Sequence, residues 1–146
     1  MGEVMLVTGG CGFIGSCFVL QQIEKYPDLR LINLDKLTYA GNPDNVKEVA
    51  DDPRYTFVQA DVVDRPAVEA VFQEYHPTLV VHFAAESHVD RSIDGPDVFV
   101  RTNVLGTQVM LDVARTQWQQ DHCMDTARFL YISTDEVYGV LPLAST

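Results

Sequence analysis

The chain has 146 residues, 47% of them hydrophobic, and carries 21 acidic against 10 basic side chains, for a formal net charge of −11. That length holds one core and excludes two ordinary domains, and the acidic excess repels nucleic acid and anionic membranes, so neither is expected as a partner. Cys11, Cys17 and Cys123 form no C-x-x-C pair, and an odd number cannot all bridge within one chain, which fits the reducing cytoplasm.

The opening EVMLVTGG is too short and too acidic for a signal peptide, and no run of about 18 apolar residues could span a bilayer. Taken in order, VMLVTG (4–9) predicts a strand and residues 13 to 26 a helix, with Ile14, Phe18, Val19 and Ile23 on one side and Pro27 closing it. LRLINLD (29–35) predicts the second strand, Asn42 to Ala50 carries a fainter helical pattern, and YTFVQAD (55–61) predicts the third strand. Asp64 caps the next predicted helix, with Pro66 in its first turn, Val68, Val71, Phe72 and Tyr75 along it, and Pro77 stopping it. TLVVHFAA (78–85) is the fourth strand. From Pro96 to Gln120 the spacing of Val98, Thr102, Leu105, Val109, Val113 and Ala114 predicts one long helix with a single buried stripe, before a fifth strand at RFLYIST (128–134). Continuous rather than alternating hydrophobicity marks strands covered on both faces. The expected fold is therefore an α/β, doubly wound parallel sheet of Rossmann type, ordered 3-2-1-4-5.

Between the first strand and the first helix, VTGGCGFIGS carries the first chemistry. Gly10, Gly12 and Gly15 satisfy G-x-G-x-x-G, and Gly9, Gly12 and Gly15 satisfy G-x-x-G-x-x-G. Such glycines let the backbone approach a pyrophosphate while the helix start presents free N–H groups to it. A glycine-rich turn alone is common. Here it follows a strand, opens a helix and precedes a second strand that ends at Asp35, where an acid can accept from both ribose hydroxyls. A carboxylate there repels a 2′-phosphate and favours NAD over NADP, although the adjacent Lys36 argues the other way. Asp61, at the end of the third strand, is placed to accept from an adenine amino group, with Val62 packing on the ring, or else to cap the following helix.

With TGGCGFIG, LDKLTYAGN, HFAAESHVDRSIDGP, TNVLGT and ISTDEVYG in order, the chain resembles the N-terminal part of nucleotide-sugar 4,6-dehydratases of the extended short-chain dehydrogenase/reductase family, over about residues 4 to 140. The resemblance implies a lyase that uses bound NAD. A hydride leaves C4 of the hexose, water is eliminated across C5 and C6, and the hydride returns at C6. It implies Asp135 as the acid for the departing hydroxyl, Glu136 as the base for the C5 proton, Thr134 on the C4 oxygen, and Ser87 on the sugar or nicotinamide side. Two adjacent carboxyls can fill both roles if their pKa values are pushed apart. Position by position it also implies Phe13 and Ile14 on the pyrophosphate, Asp35, Lys36, Leu37 and Thr38 on the adenosine ribose, Asp61 and Val62 on the adenine, and Phe83, Ala84, Ala85 and Ser87 on the nicotinamide half. Thr102 would lie near the cofactor, and Asn103 would steady the active-site backbone.

The implied substrate is dTDP-glucose; a UDP- or GDP-linked hexose, or a non-catalytic NAD-binding truncated paralogue, stays open. Homodimers are typical of the family. His82 and His88 are expected to be structural, no metal site is expected, and the helix start is expected to lower the Cys11 pKa. One family feature is absent: no lysine among Lys25, Lys36 and Lys47 has a tyrosine four residues before it. The chain is accordingly expected to be one incomplete NAD-binding domain, residues 1–146, truncated after the fifth strand and lacking the substrate domain. Alone it should be inactive, with the sheet beside the fifth strand uncovered.

Overall fold

The computed structural model describes residues 2–139. Five parallel strands, β1 (Val4–Thr8), β2 (Arg30–Asp35), β3 (Tyr55–Gln59), β4 (Leu79–His82) and β5 (Arg128–Tyr131), form one sheet ordered β3-β2-β1-β4-β5, as expected. The register aligns Leu6 with Ile32 on one side and Val80 on the other, and Met5 with Leu31 and Leu79. Because side chains alternate along a strand, Leu6, Ile32, Leu34 and Val80 face one core while Met5, Val7, Leu31 and Val81 face a second.

Helices cover both cores. On the first face lie α2 (Arg65–Tyr75), through Val68, Val71 and Phe72, and α5 (Thr107–Gln120), through Val109, Met110, Val113, Ala114 and Trp118. The second face is covered by α1 (Phe13–Lys25), through Val19 and Ile23, and by a 3₁₀ stretch, Pro43–Val49, through Val46 and Val49. Removing each such aliphatic side chain from water contributes about 1.5–3 kcal/mol. Local signals set the boundaries. Asp64 Oδ1 accepts from the Ala67 N–H at 3.3 Å and caps α2, and His76 leaves that helix in the left-handed region (φ 47°) before Pro77. The Pro77 carbonyl accepts the buried Trp118 indole N–H at 2.7 Å, pinning α5 to the start of β4.

Two short helices, α3 (Val89–Asp94) and α4 (Pro96–Phe99), precede α5, and a π-helical turn, Val100–Gly106, joins α4 to it. The single stripe expected over 96–120 is corrected here. Val109, Val113 and Ala114 are buried, but Val98 is 51% and Leu105 46% exposed. A π turn spreads more residues over each revolution, so the inward face slips by about one position and carries Phe99, Thr102, Asn103 and Gly106 instead. At the far edge Leu130 and Tyr131 are 54% and 41% exposed, the uncovered surface expected beside β5.

Two buried side chains tie the layers together. The His82 ring is fully buried, with Nδ1 2.6 Å from Thr8 Oγ1 and Nε2 3.1 Å from Thr107 Oγ1. Thr8 Oγ1 already accepts from the Ala84 N–H at 3.3 Å. A hydroxyl can donate once and accept twice, so both ring nitrogens are hydrogen-bonded in either neutral tautomer. Cys11 is also fully buried, and burial, reinforced by the Asp35 charge, pushes its thiol up to about 11. The expected lowering by the helix start is overturned, because desolvation of a thiolate outweighs the helix-end dipole.

Burial pushes the His82 pKa down to about 4 from an ordinary 6.5. Between those values the unfolded chain binds the extra proton, so stability is complete above about pH 6.5 and falls as the pH drops toward 4. From pH 7 to 5 the expected loss is roughly 2 kcal/mol, read from urea unfolding, and His82→Gln should abolish that slope; an equal slope in the variant would refute the assignment. Asp52 and Asp112, held low by their hydrogen bonds to Arg54 and Arg65, lose their contribution only below the ordinary carboxylate value of 3.8, outside this window. Cysteine access gives a second check. Iodoacetamide should label exposed Cys17 first, half-buried Cys123 more slowly, and Cys11 only on unfolding, as mapped by peptide mass; labelling of native Cys11 at the rate of Cys17 would contradict its burial.

Candidate functional site

Because every strand is parallel, the segments that follow β1, β2, β3, β4 and β5 all emerge at the same carboxyl edge. That edge gathers residues 9–15, 35–38, 61–62, 83–87 and 134–136. The order reverses at β1, which has β2 on one side and β4 on the other, the position where open α/β sheets form a ligand crevice.

The glycine loop is built for close approach. Gly9 has φ +72°, and a Cβ there would stand 2.8 Å from the Ala84 nitrogen; at Gly15 it would stand 2.2 Å from the Gly9 carbonyl oxygen. Gly12 caps α1 in extended geometry, and the Ser16 N–H bonds to its carbonyl. The N–H groups of Phe13, Ile14 and Gly15 precede Ser16, the first intrahelical donor, and have no acceptor within the helix, as at any helix start. Phe13 is 85% and Ile14 64% exposed, so Ile14 does not join Val19 and Ile23 on the buried side of α1.

Asp35 fastens this loop. Its Oδ2 accepts the Cys11 N–H at 2.9 Å and its Oδ1 accepts the Leu37 N–H at 2.8 Å, with the residue only 8% exposed. Each carboxylate oxygen has two lone-pair sites, so one remains on each for a ligand hydroxyl. Leu37 sits in the left-handed region at φ 59°, an unfavourable conformation for a branched side chain that is held by this bond. The Cys11 carbonyl accepts from Asn42 N–H and Asn45 Nδ2, both at 3.0 Å. Lys36 is drawn away from Asp35: its Nζ lies 2.6 Å from Asp61 Oδ2, while Asp61 Oδ1 accepts from the Val63 N–H. Val62 is 4% exposed and belongs to the core with Leu34 and Met110. A ring at that position would meet Asp61 and main chain rather than the valine side chain.

On the other side of β1, Phe83 is half-buried with its ring 5.3 Å from Phe18, Ala84 is half-buried, and Ala85 and Ser87 are exposed. Asn103, on the π turn beside half-buried Thr102, grips this segment. Its Oδ1 accepts the Glu86 N–H at 2.8 Å and its Nδ2 donates to the Glu86 carbonyl at 2.9 Å. Past β5, a 3₁₀ turn spans Asp135–Tyr138 and exposes Asp135, whose Oδ1 lies 3.3 Å from Thr134 Oγ1. The backbone of Glu136 is part of that turn; its side chain lies outside the described residues. Among the described residues no three His, Cys, Asp or Glu side chains converge on a possible metal position, and no helix is long and apolar enough to cross a membrane.

Several contributors were not apparent in the sequence. Asn33, central in apolar β2, donates to the Tyr55 hydroxyl at 2.9 Å and to Cys11 Sγ at 3.5 Å beneath the glycine loop. A lone amide in an apolar strand is a usable signal for such a support. Asn45 and the pairing of Tyr39 with the segment after β4 had none, since both contacts join residues remote in sequence.

A family model described as GDP-mannose 4,6 dehydratase matches residues 6–144. Over 140 residues the chain is 50% identical to dTDP-glucose 4,6-dehydratase 1 of Escherichia coli (strain K12), covering 94% of this chain and 38% of that protein. Against dTDP-glucose 4,6-dehydratase of Neisseria gonorrhoeae the identity is 51%, covering 94% and 40%. The crystal structure of DesIV, a dTDP-glucose 4,6-dehydratase from Streptomyces venezuelae with NAD bound, superposes with a TM-score of 0.85 at 45% identity, covering 99% of this chain and 43% of that one. UDP-glucose 4-epimerase from Brucella ovis, also in complex with NAD, gives 0.78 at 29% identity, covering 95% and 38%. The chain spans about two fifths of the length of the curated relatives it matches. The glycine loop, the fastened acid after β2 and the Asp-Glu turn after β5 all fall within the matched stretch, and this chain belongs to the GDP-mannose 4,6 dehydratase family.

Proposed function

We infer that this chain supplies the NAD-binding half of a dTDP-glucose 4,6-dehydratase, an enzyme of deoxysugar biosynthesis. The observation that carries the reading is the convergence, on one edge of a parallel sheet, of an anion-ready helix start, a fixed carboxylate and the Thr134-Asp135-Glu136 segment. The residues fit the cofactor: a Cβ at Gly9 or Gly15 would collide with the Ala84 backbone or the Gly9 carbonyl, so glycine at both positions lets the turn pack tightly and brings the start of α1 up to the end of β1.

In this reading the N–H groups of Phe13 and Ile14 hold the pyrophosphate, Asp35 the adenosine ribose with Leu37 and Thr38 beside it, and Asp61 the adenine amino group. Phe83, Ala84, Ala85, Ser87 and Thr102 border the nicotinamide half. When bound, NAD takes up a hydride from the hexose and gives it back. The chain's own groups then handle protons: Thr134 orients the C4 oxygen, Glu136 removes the C5 proton, and Asp135 protonates the leaving C6 hydroxyl. Asp35 selects NAD because its charge repels a 2′-phosphate, and Lys36, engaged with Asp61, does not offset it.

Fifty per cent identity to dTDP-glucose enzymes favours that substrate over a GDP- or UDP-linked hexose. The exposed Val100, Val104 and Leu111, beside a groove of about 530 Å³ that Tyr131 also lines, support homodimerisation as in the family. Three free cysteines accord with the cytoplasm. No Tyr-x-x-x-Lys pair occurs among the 146 residues, so the base for the first oxidation is missing, and general-base catalysis contributes about 10²–10⁴ in rate.

Calorimetric titration tests this directly. The chain should bind NAD saturably and more tightly than NADP, and Asp35→Asn should weaken NAD at least about tenfold, the loss expected for a hydrogen bond to a charged group. Silence at millimolar NAD would overturn the reading. With dTDP-glucose and NAD the 146-residue chain should form almost no 4-keto product; turnover of about 1–10³ s⁻¹, typical of an enzyme, would refute the incomplete-site argument.

A further inference from the structure

We propose that Tyr39, Glu86 and Arg91 form a gate across the mouth of the dinucleotide crevice, a strap that opens for the cofactor to enter or leave; the proposal rests on the NAD reading above. Topology makes the strap cross the site. Tyr39 lies in the segment after β2, Glu86 and Arg91 in the segment after β4, and β1 runs between those strands. Neighbouring strands are about 4.8 Å apart, so a contact between the two segments spans two spacings and passes over the end of β1. There the glycine loop and the first amides of α1 sit.

The contact is made by side chains. The Tyr39 hydroxyl donates to Glu86 Oε2 at 3.4 Å, and the Arg91 guanidinium lies 3.9 Å from the Tyr39 ring centroid, well inside cation–π range. The His88 ring flanks Tyr39 at 5.7 Å between centroids. Both feet are fixed. Near Tyr39, the Gly41 N–H bonds to the Thr38 carbonyl and the Asn42 N–H to the Cys11 carbonyl; near Glu86, Asn103 holds the main chain on both sides. Between firm feet the span itself is exposed, with Tyr39 55% accessible. Among the described residues the ring belongs to neither core cluster, and the partners named above lie in the segment after β4.

A strap that is already closed without ligand slows passage in both directions. It therefore has a kinetic signature distinct from that of a binding contact. A contact residue raises dissociation alone and weakens affinity, whereas a gate residue raises both rates and leaves their ratio nearly unchanged. The test uses NADH as the probe, with its fluorescence followed by stopped flow on the chain. Tyr39→Ala and Arg91→Ala should each raise association and dissociation about three- to tenfold, with Kd changed less than about twofold. The double variant should be no faster than Tyr39→Ala, because both remove one contact, and Tyr39→Phe should keep most of the slow exchange. Unchanged rates in Tyr39→Ala, or faster dissociation with unaltered association, would overturn the gate while leaving the NAD site intact. Absence of NADH binding by the parent chain would instead remove the cofactor reading, and the gate with it.

Discussion

The hydrogen bond from the Cys11 amide to the Asp35 carboxylate joins the two halves of the cofactor end of this molecule. Asp35 ends β2 and Cys11 sits in the turn after β1, so one carboxylate fixes the separation of two adjacent strand ends. A buried acid is tolerable only when hydrogen-bonded, and here both oxygens are engaged by main-chain amides. The same residue is held through its carbonyl by Asn42 and Asn45, and the Gly9 N–H bonds to the Leu34 carbonyl. The loop is thus shaped before any ligand arrives, and little ordering entropy is left to oppose binding.

Across β1 the second half is organised by different means. Fully buried His82 bridges β1 to the start of α5 through Thr8 and Thr107, and four residues before Thr107 Asn103 grips the Glu86 main chain. The π turn makes these two anchors compatible. In a regular α-helix, residues at 103 and 107 stack on one face; widening the turn changes their relative direction, so one can point to the segment after β4 and the other to the His82 ring. Such local widening recurs at functional sites, and here it is coupled to a histidine whose burial favours the neutral form.

Much of this was legible before the structure because two constraints leave direct marks on sequence. A loop that admits no Cβ must be glycine, which exposes Gly9, Gly10 and Gly15, and a strand covered on both faces must be apolar throughout, which exposes the sheet and its order. Asp35 was readable from its distance to the loop. The rest depended on contacts without a periodic trace. The π turn broke the 3.6-residue rule, so Val98 and Leu105, placed on the buried stripe, are exposed, while Asn103 and Gly106, absent from that stripe, share the inward face. The thiol of Cys11 looked acidic from its neighbours in the chain, but it is buried in the core cluster that also holds Val19, Leu31 and Tyr55, and Asn33, 22 positions away, donates to its sulfur. Arg91 had several acids nearby in sequence and chose a tyrosine 52 positions distant. Pairings between surface loops are fixed by topology and only afterwards by side-chain chemistry.

In the proposed reading, a chain of net charge −11 with an acid at the carboxyl edge of its sheet has to receive a pyrophosphate. The cations near that edge do not solve this: Lys36 is engaged with Asp61, and Arg91 lies over Tyr39. What remains is the start of α1, whose unpaired N–H groups and aligned peptide dipoles place about half a positive charge at the crevice. Distance decides the balance. At physiological ionic strength charges farther than about 8 Å are largely screened, so most of the acidic surface is invisible to a phosphate at the helix start, whereas the amides act at hydrogen-bond range. Asp35 lies close enough to matter, and its effect is selective. In the proposed NAD reading its remaining lone pairs meet neutral ribose hydroxyls, and its charge disfavours an anionic group in the same place. The acidity of the chain and its suitability for an anionic ligand are therefore compatible, because they operate on different length scales.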